Sequence, residues 1–216
     1  MIRKDEELYP LVQPTVKEVL SREVKESDTC LEIGCGPGQY ELIIPGKYIG
    51  LDLTSEDYNS GLPRKVDIVA DGQALPFKEN SFEVVFIVAT FLIIPDTEQA
   101  LKEIYRVLKN GGKCLIFDYN LWTSRRLRKQ DKTYKHIWTP WRLKKAVKNI
   151  GFQTKTVYSY GWHNRPKWLR TLLSSMVIAY LVFLIKQLFF EGWNIIIGLK
   201  KLNDEKTPAR IKVIKL

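Results

Sequence analysis

The chain has 216 residues, 45% hydrophobic and 12% aromatic, enough for one packed domain and too apolar for a disordered chain. Its three cysteines, Cys30, Cys35 and Cys114, have no paired spacing, which argues against a disulfide or zinc framework and for a reducing compartment. A formal net charge of +10 invites anionic partners, either nucleic acid or an anionic membrane surface, without choosing between them. Met1 to Glu7 is charged rather than apolar and does not read as a signal peptide.

Taken in order, Leu11, Val12, Val16, Val19, Leu20 and Val24 recur at helical spacing over Tyr9 to Glu26, with Pro10 and Pro14 making the start irregular. Thr29 to Ile33 is a first strand and runs into a loop with glycine at 34, 36 and 38. Gln39 to Ile44 allows only a short helix before Pro45-Gly46. Lys47 to Leu51 is a second strand ending on Asp52, Thr54 to Pro63 reads as a loop or weak helix, and Val66 to Ala70 is a third strand ending on Asp71-Gly72. Phe82 to Val88 is nearly all apolar, as a central strand covered on both faces should be. Thr97 to Leu108 has helical periodicity, with Asn110-Gly111-Gly112 as its stop, and Lys113 to Phe117 is a fifth strand. Thr139-Pro140 opens a helix that Gly151 closes, and Lys155 to Ser159 and Trp193 to Leu199 are the last strands. Strands alternating with helices in short units specify an α/β fold with a mostly parallel sheet.

A strand that ends in a glycine loop brings bare backbone amides close to a ligand, because glycine accepts positive φ and has no Cβ in the way. In open α/β sheets the ligand lies beyond the carboxyl ends of the strands, and Glu32, Asp52 and Asp71 fall at or beside such ends. The stretch Cys30 to Tyr40, C-L-E-I-G-C-G-P-G-Q-Y, resembles the cofactor loop of class I S-adenosylmethionine-dependent methyltransferases. The resemblance continues through Y-I-G-L-D-L, A-D-G-Q-A-L-P-F, I-Y-R-V-L-K-N-G-G-K and T-P-W-R-L-K-K-A-V-K-N-I-G-F, in the family's order from about Val24 to Ser159. Glu83, in S-F-E-V-V-F, departs from the family's usual aspartate.

The resemblance implies a Rossmann-like seven-stranded sheet with helices on both faces and S-adenosyl-L-methionine as cofactor. It also implies roles. Asp52 would accept from both ribose hydroxyls, and Asp71 from the adenine amino group, with Gly72, Gln73 and Ala74 reading the ring. Glu32, Gly34, Cys35, Gly36 and Gly38 would surround the methionine end, and Leu53, Val88 and Ala89 complete the expected cofactor set. The rival is NAD, whose fingerprint wants glycine or alanine where Gln39 stands and has no proline at the position of Pro37.

Of the two histidines, His163 in Y-G-W-H-N-R-P could be a base or substrate contact, against the plainer reading of a loop histidine; His136 is the weaker candidate. No metal site is expected. The Asn/Asp-Pro-Pro-Tyr signature for amide methylation is absent after the fourth strand. Ala89 to Pro95 stands there instead, an apolar stretch suited to a hydrophobic acceptor or to plain core.

Thr171 to Phe190 is apolar nearly all round as a helix, with Lys186 its only charge, so it needs cover from lipid, a second subunit, a hydrophobic substrate or its own core. Arg125 to Lys135 is strongly basic and could dock on anionic lipid or RNA, or form a solvated lid. The expectation is one methyltransferase domain over 1–202, with an apolar helical insertion at 160–191 and a tail at 203–216. It would be cytoplasmic and peripheral to a membrane, acting on a small, hydrophobic or lipid-like acceptor. An RNA methyltransferase, a non-catalytic cofactor-binding module and a homodimer through 171–190 are the alternatives.

Overall fold

A computed structural model describes residues 13–56, 65–119, 125, 129–136, 138–160 and 193–200. The expectations for His163, for 126–128 of the basic segment, for Thr171 to Phe190, for most of the 160–191 insertion and for the tail therefore lie outside the described residues.

The strands are β1 Thr29–Ile33, β2 Lys47–Asp52, β3 Ile68–Val69, β4 Phe82–Val88, β5 Leu108–Tyr119, β6 Gln153–Tyr160 and β7 Trp193–Leu199. They form one seven-stranded sheet in the order β3-β2-β1-β4-β5-β7-β6, parallel except for β7. The order reverses between β1 and β4, so the crevice beyond their carboxyl ends is where a ligand belongs.

Side chains alternate along each strand and divide the core in two. On one face Leu31, Ile33, Val85, Ile87, Cys114 and Ile116 pack under helices α2 (Thr97–Val107) and α3 (Pro140–Ile150), through Leu101, Ile104, Leu143 and Val147. On the other, Cys30, Val84, Phe86, Leu115 and Phe117 pack under helix α1 (Pro14–Glu23), through Val16, Val19 and Leu20. Cys30 and Cys114 are thus core residues, and burial pushes both thiols up to about 12, which leaves them unreactive at neutral pH.

Several boundaries differ from the sequence expectation. α1 begins at Pro14, in the first helical position, where its missing N–H costs nothing. β3 has two residues rather than five, although the Asp67 and Ala70 amides extend its pairing to Gly50 and Asp52 of β2. β5 begins at Leu108 rather than Lys113: Leu108 pairs with Phe82, and a bulge then shifts the register before Lys113 meets Val84. Gly111, at φ +78°, lies within that irregular stretch rather than capping a helix. Beside it Glu83 accepts from the Thr29 amide at 2.9 Å and pairs with Lys109. Burial pushes the Glu83 carboxyl up, but these two donors hold it below its ordinary range.

The last two strands fix one more point. Tyr160 and Trp193 are register partners, and Trp193 also pairs with Tyr119 at the carboxyl end of β5. Tyr160 and Trp193 therefore stand at one corner of the sheet, on the side where the glycine loop lies. Among the described residues no helix is long and apolar enough to cross a membrane.

Candidate cofactor site

β1 delivers the loop Gly34–Gly38 to the crevice, and Gly34, Gly36 and Gly38 all adopt positive φ, at +76°, +55° and +77°. Two of these positions also need glycine for space or offer it. A Cβ on Gly34 would lie 2.3 Å from the Thr90 side chain, whereas one on Gly36 would meet nothing within 4 Å. Gly36 thus opens onto room for a ligand.

The amides of this loop are not bare. Gly34 and Cys35 donate to the Leu51 carbonyl at 2.8 and 3.1 Å, Gly36 to Asp52 Oδ2 at 2.9 Å and Gly38 to the Cys35 carbonyl at 2.9 Å, while Pro37 has no N–H. A loop that binds pyrophosphate needs free amides at the start of a helix. Here the donors are engaged, and only a 3₁₀ turn, Gln39–Ile43, follows. The loop suits a ligand without phosphate that requires close approach rather than donors.

The acids around it suit a cation. Asp52, buried at the end of β2, accepts from the Gly36 amide and from its own neighbour Leu53 at 2.8 Å. A carboxylate offers about four lone-pair directions and can accept from several donors at once. Glu32 is fully buried beneath the loop and accepts from the Tyr48 hydroxyl at 2.6 Å. Burial first, and then the Asp52 charge, push the Glu32 carboxyl well above its ordinary range; the Tyr48 hydrogen bond only partly opposes this. Asp71 is exposed and holds Gln73, accepting from its amide at 2.8 Å and from its side-chain amide at 3.0 Å. The Ala74 amide turns back to the Asp71 carbonyl at 2.9 Å. Gly72 lies so close to the end of β1 that a Cβ would reach within 2.9 Å of Ile33.

The remaining expected residues divide between backbone and core. The Cys35 side chain is buried, and its thiol lies 3.6 Å from the Lys65 carbonyl, so only its backbone faces the loop's ligand side. Val88 is core. Ala89 has φ +54°, an unusual conformation for alanine, held by its amide's bond to the Phe117 carbonyl at 2.8 Å. Leu53 is 64% exposed, an apolar side chain open beside Asp52.

Of the two outcomes open for Ala89 to Pro95, core prevails: Phe91, Leu92 and Ile94 are buried, Phe91 stacks on Trp138, and Ile93 alone is exposed among its large apolar side chains. The segment is tied from both sides. The Leu92 amide bonds to Asp118, the Leu92 carbonyl accepts from the amides of Lys135 and His136, and His136 Nε2 lies 2.9 Å from the Ile94 carbonyl. His136 Nε2 therefore donates to that carbonyl, and the ring ties this segment to the one that carries it. His163, the other candidate, is outside the described residues.

Sequence reasoning missed several supports. Arg106 of α2 grips Glu103 through two nitrogens at 2.8 and 2.7 Å and donates to the carbonyls of Phe77 and Leu75. Glu103 in turn accepts from the Leu75 amide at 2.8 Å. Together they clamp the segment that carries Asp71. The only signal was an arginine and a glutamate three apart on a helix. Asp118, fully buried at the end of β5, was also passed over; among the described residues its Oδ2 has no hydrogen-bond partner, and burial pushes its carboxyl well up.

Glu32 and Asp118 together set a pH dependence. Each folded-state pKa is raised, so the folded protein keeps a proton that the unfolded chain releases as pH climbs above the ordinary carboxylate range, near 4. The protein without cofactor is therefore expected to lose stability from that range upward. Glu32→Gln and Asp118→Asn should each flatten the profile, measured by urea unfolding between pH 5 and 8.

Comparison with known proteins agrees with this fold. Residues 31–116 match a family described as a methyltransferase domain. The sterol 4-C-methyltransferase strm-1 of Caenorhabditis elegans is 34% identical over 108 residues, 44% of this chain and 32% of that protein. A demethylmenaquinone methyltransferase of Oceanobacillus iheyensis is 32% identical over 117 residues, 47% of this chain and 49% of that one. This chain thus spans less than half the length of either relative. In fold it is similar to a chain from a complex of the Haloferax volcanii Trm112 methyltransferase activator, with a TM-score of 0.69 at 20% identity, over 92% of this chain and 94% of that one. The strand order agrees with those likenesses: residues 31–116 are similar to a methyltransferase domain, and the sheet has the Rossmann-like architecture of class I S-adenosylmethionine-dependent methyltransferases.

Proposed function

We propose that the protein transfers a methyl group from S-adenosylmethionine to a small, hydrophobic or lipid-like acceptor at a membrane surface. The observation that carries the cofactor assignment is the loop whose amides are engaged within the protein while Gly36 opens onto free space beside Asp52. S-adenosylmethionine presents a sulfonium, an ammonium and two ribose hydroxyls, and no phosphate. In this reading Asp52 accepts from the ribose, Leu53 covers one face of the adenine, and Asp71 with Gly72 reads its edge. The Gly34–Gly38 backbone lies along the methionine end above Glu32.

The reaction is an in-line displacement. S-adenosylmethionine, when bound, would supply an electrophilic methyl carbon to an electron pair of the acceptor, its sulfur leaving as a neutral thioether and the acceptor's displaced proton passing to solvent. Most of the barrier can be lowered by holding the two partners in line, so an already nucleophilic acceptor needs no strong base. The acceptor class is suggested by relatives named for a sterol and for demethylmenaquinone, both lipids.

The test supplies methyl-tritiated S-adenosylmethionine with a bacterial lipid extract in one tube and total RNA in another. Label in the organic phase is the expected result. Label in RNA instead overturns the acceptor assignment, and tight cofactor binding with label in neither leaves a binding module without catalysis.

A further inference from the structure

The positive charge of this chain is concentrated in one part of it. Residues 120–190 hold fifteen lysines and arginines against one acid, Asp131, so the remainder is net acidic although the whole chain carries +10. All six tryptophans, at 122, 138, 141, 162, 168 and 193, lie in that part or just after it. Such an asymmetry points to an anionic surface as partner.

Helix α3 shows how the charge is displayed. Leu143, Ala146, Val147 and Ile150 form its inner stripe against the sheet. The opposite stripe is Trp141, Lys144, Lys145 and Lys148, the same spacing of three, four and seven residues, and all four are exposed, Trp141 at 68%. The helix contains no acid, and Lys144 and Lys148 repel one another one turn apart, so the stripe does not serve helix stability. Arg142, Lys129, Lys132 and Lys135 are exposed as well, and none of these seven cations pairs with a carboxylate among the described residues.

The stripe is also oriented. α3 follows β5 and precedes β6, which runs parallel to β5, so its first turn lies at the carboxyl end of the sheet, where the cofactor site opens. Trp141 stands in that turn. Ile93, 39% exposed, follows β4 at the same end.

We propose that the outer stripe of α3, with Trp141 as its apolar anchor and Lys144, Lys145 and Lys148 as its charges, docks the protein on an anionic lipid bilayer with the site opening facing the lipid. Tryptophan prefers the boundary between headgroups and hydrocarbon, and lysine reaches past it to the phosphates. Phosphates of RNA would satisfy the lysines too. What favours lipid is the apolar run Thr171 to Phe190 within the same basic part of the sequence, which has no use in tracking a phosphate backbone. The inference rests on the lipid-like acceptor proposed above, but its test does not need catalysis.

The full chain is floated with phosphatidylcholine vesicles, alone or with one part in three phosphatidylglycerol. Binding only to the anionic vesicles is expected, falling with salt. Lys144→Gln/Lys145→Gln should lower the partition coefficient about 30-fold, from roughly 1 kcal/mol per lysine at the surface. Trp141→Ser should lower it at unchanged charge, and brominated lipid should quench wild-type tryptophan emission more than that of Trp141→Ser. Unchanged binding of S-adenosylmethionine in these variants shows that they are folded. Wild-type protein that ignores anionic vesicles overturns the proposal, as do variants that float like the wild type. A gel shift of RNA that the lysine substitutions abolish, without flotation, assigns the stripe to RNA instead. Methylation of an acceptor in detergent without flotation sinks only this proposal; flotation without methylation sinks only the function.

Discussion

Asp52→Ala is expected to weaken binding of S-adenosylmethionine about 100-fold or more in calorimetry. If the carboxylate accepts from both ribose hydroxyls, each bond to a charged group contributes roughly 1.5 kcal/mol, and two give about 3 kcal/mol. The same carboxylate also receives the amides of Gly36 and Leu53, so the substitution releases the loop as well as the ligand. Two measurements separate these effects. Urea unfolding without cofactor should show a loss of about 1–2 kcal/mol from the two orphaned amides. The rise in Tm that the cofactor gives the wild type should all but disappear in the variant, because that rise depends on affinity. A variant that binds as the wild type does would remove Asp52 from the site and with it the assignment of the crevice.

Gly34→Ala should be the most damaging single methyl group in the loop. Its Cβ would sit 2.3 Å from Thr90 Cγ2 and Oγ1 and 2.7 Å from Thr90 Cβ, at a φ of +76° that alanine adopts only with strain. Overpacking and positive φ together are worth about 2–4 kcal/mol, or roughly a 10 °C fall in Tm for a chain of this size. Thr90 cannot simply turn away, because its hydroxyl donates to the carbonyls of Gly34 and Val88 at 3.3 and 3.1 Å. In the double variant with Thr90→Gly the steric part should vanish while the φ cost stays, so the two substitutions should couple by more than 1 kcal/mol. Additive effects would mean that Gly34 and Thr90 do not touch.

What the sequence made legible follows what is local. β1, β4, β7 and α3 were bounded closely because apolar runs, a capping threonine and a closing glycine act within a few residues. The start of β5 was not, because Asn110-Gly111-Gly112 has the chemistry of a helix stop, and only the distant pairing of Leu108 with Phe82 makes it strand. The site divides in the same way. Glu32, Asp52 and Asp71 announce themselves as acids at strand ends, but that the loop's amides are engaged by Leu51, Asp52 and Cys35 is a fact of folding, and it overturns the picture of bare donors. The burial of Phe91, Leu92 and Ile94 belongs to the same kind: a hydrophobic stretch near a site reads equally well as a surface for substrate until Trp138, Asp118 and His136 are seen to close over it.

The pairing of Tyr160 with Trp193 has a consequence for how such a protein changes over time. Neighbouring antiparallel strands need only a two-residue turn between register partners, so the pairing of β6 with β7 sets no length for the chain between them. Insertion or deletion between Tyr160 and Trp193 is therefore compatible with the same pairing. The strands that carry the glycine loop and Asp52 can then stay fixed while the chain joining those two residues varies from one protein to the next.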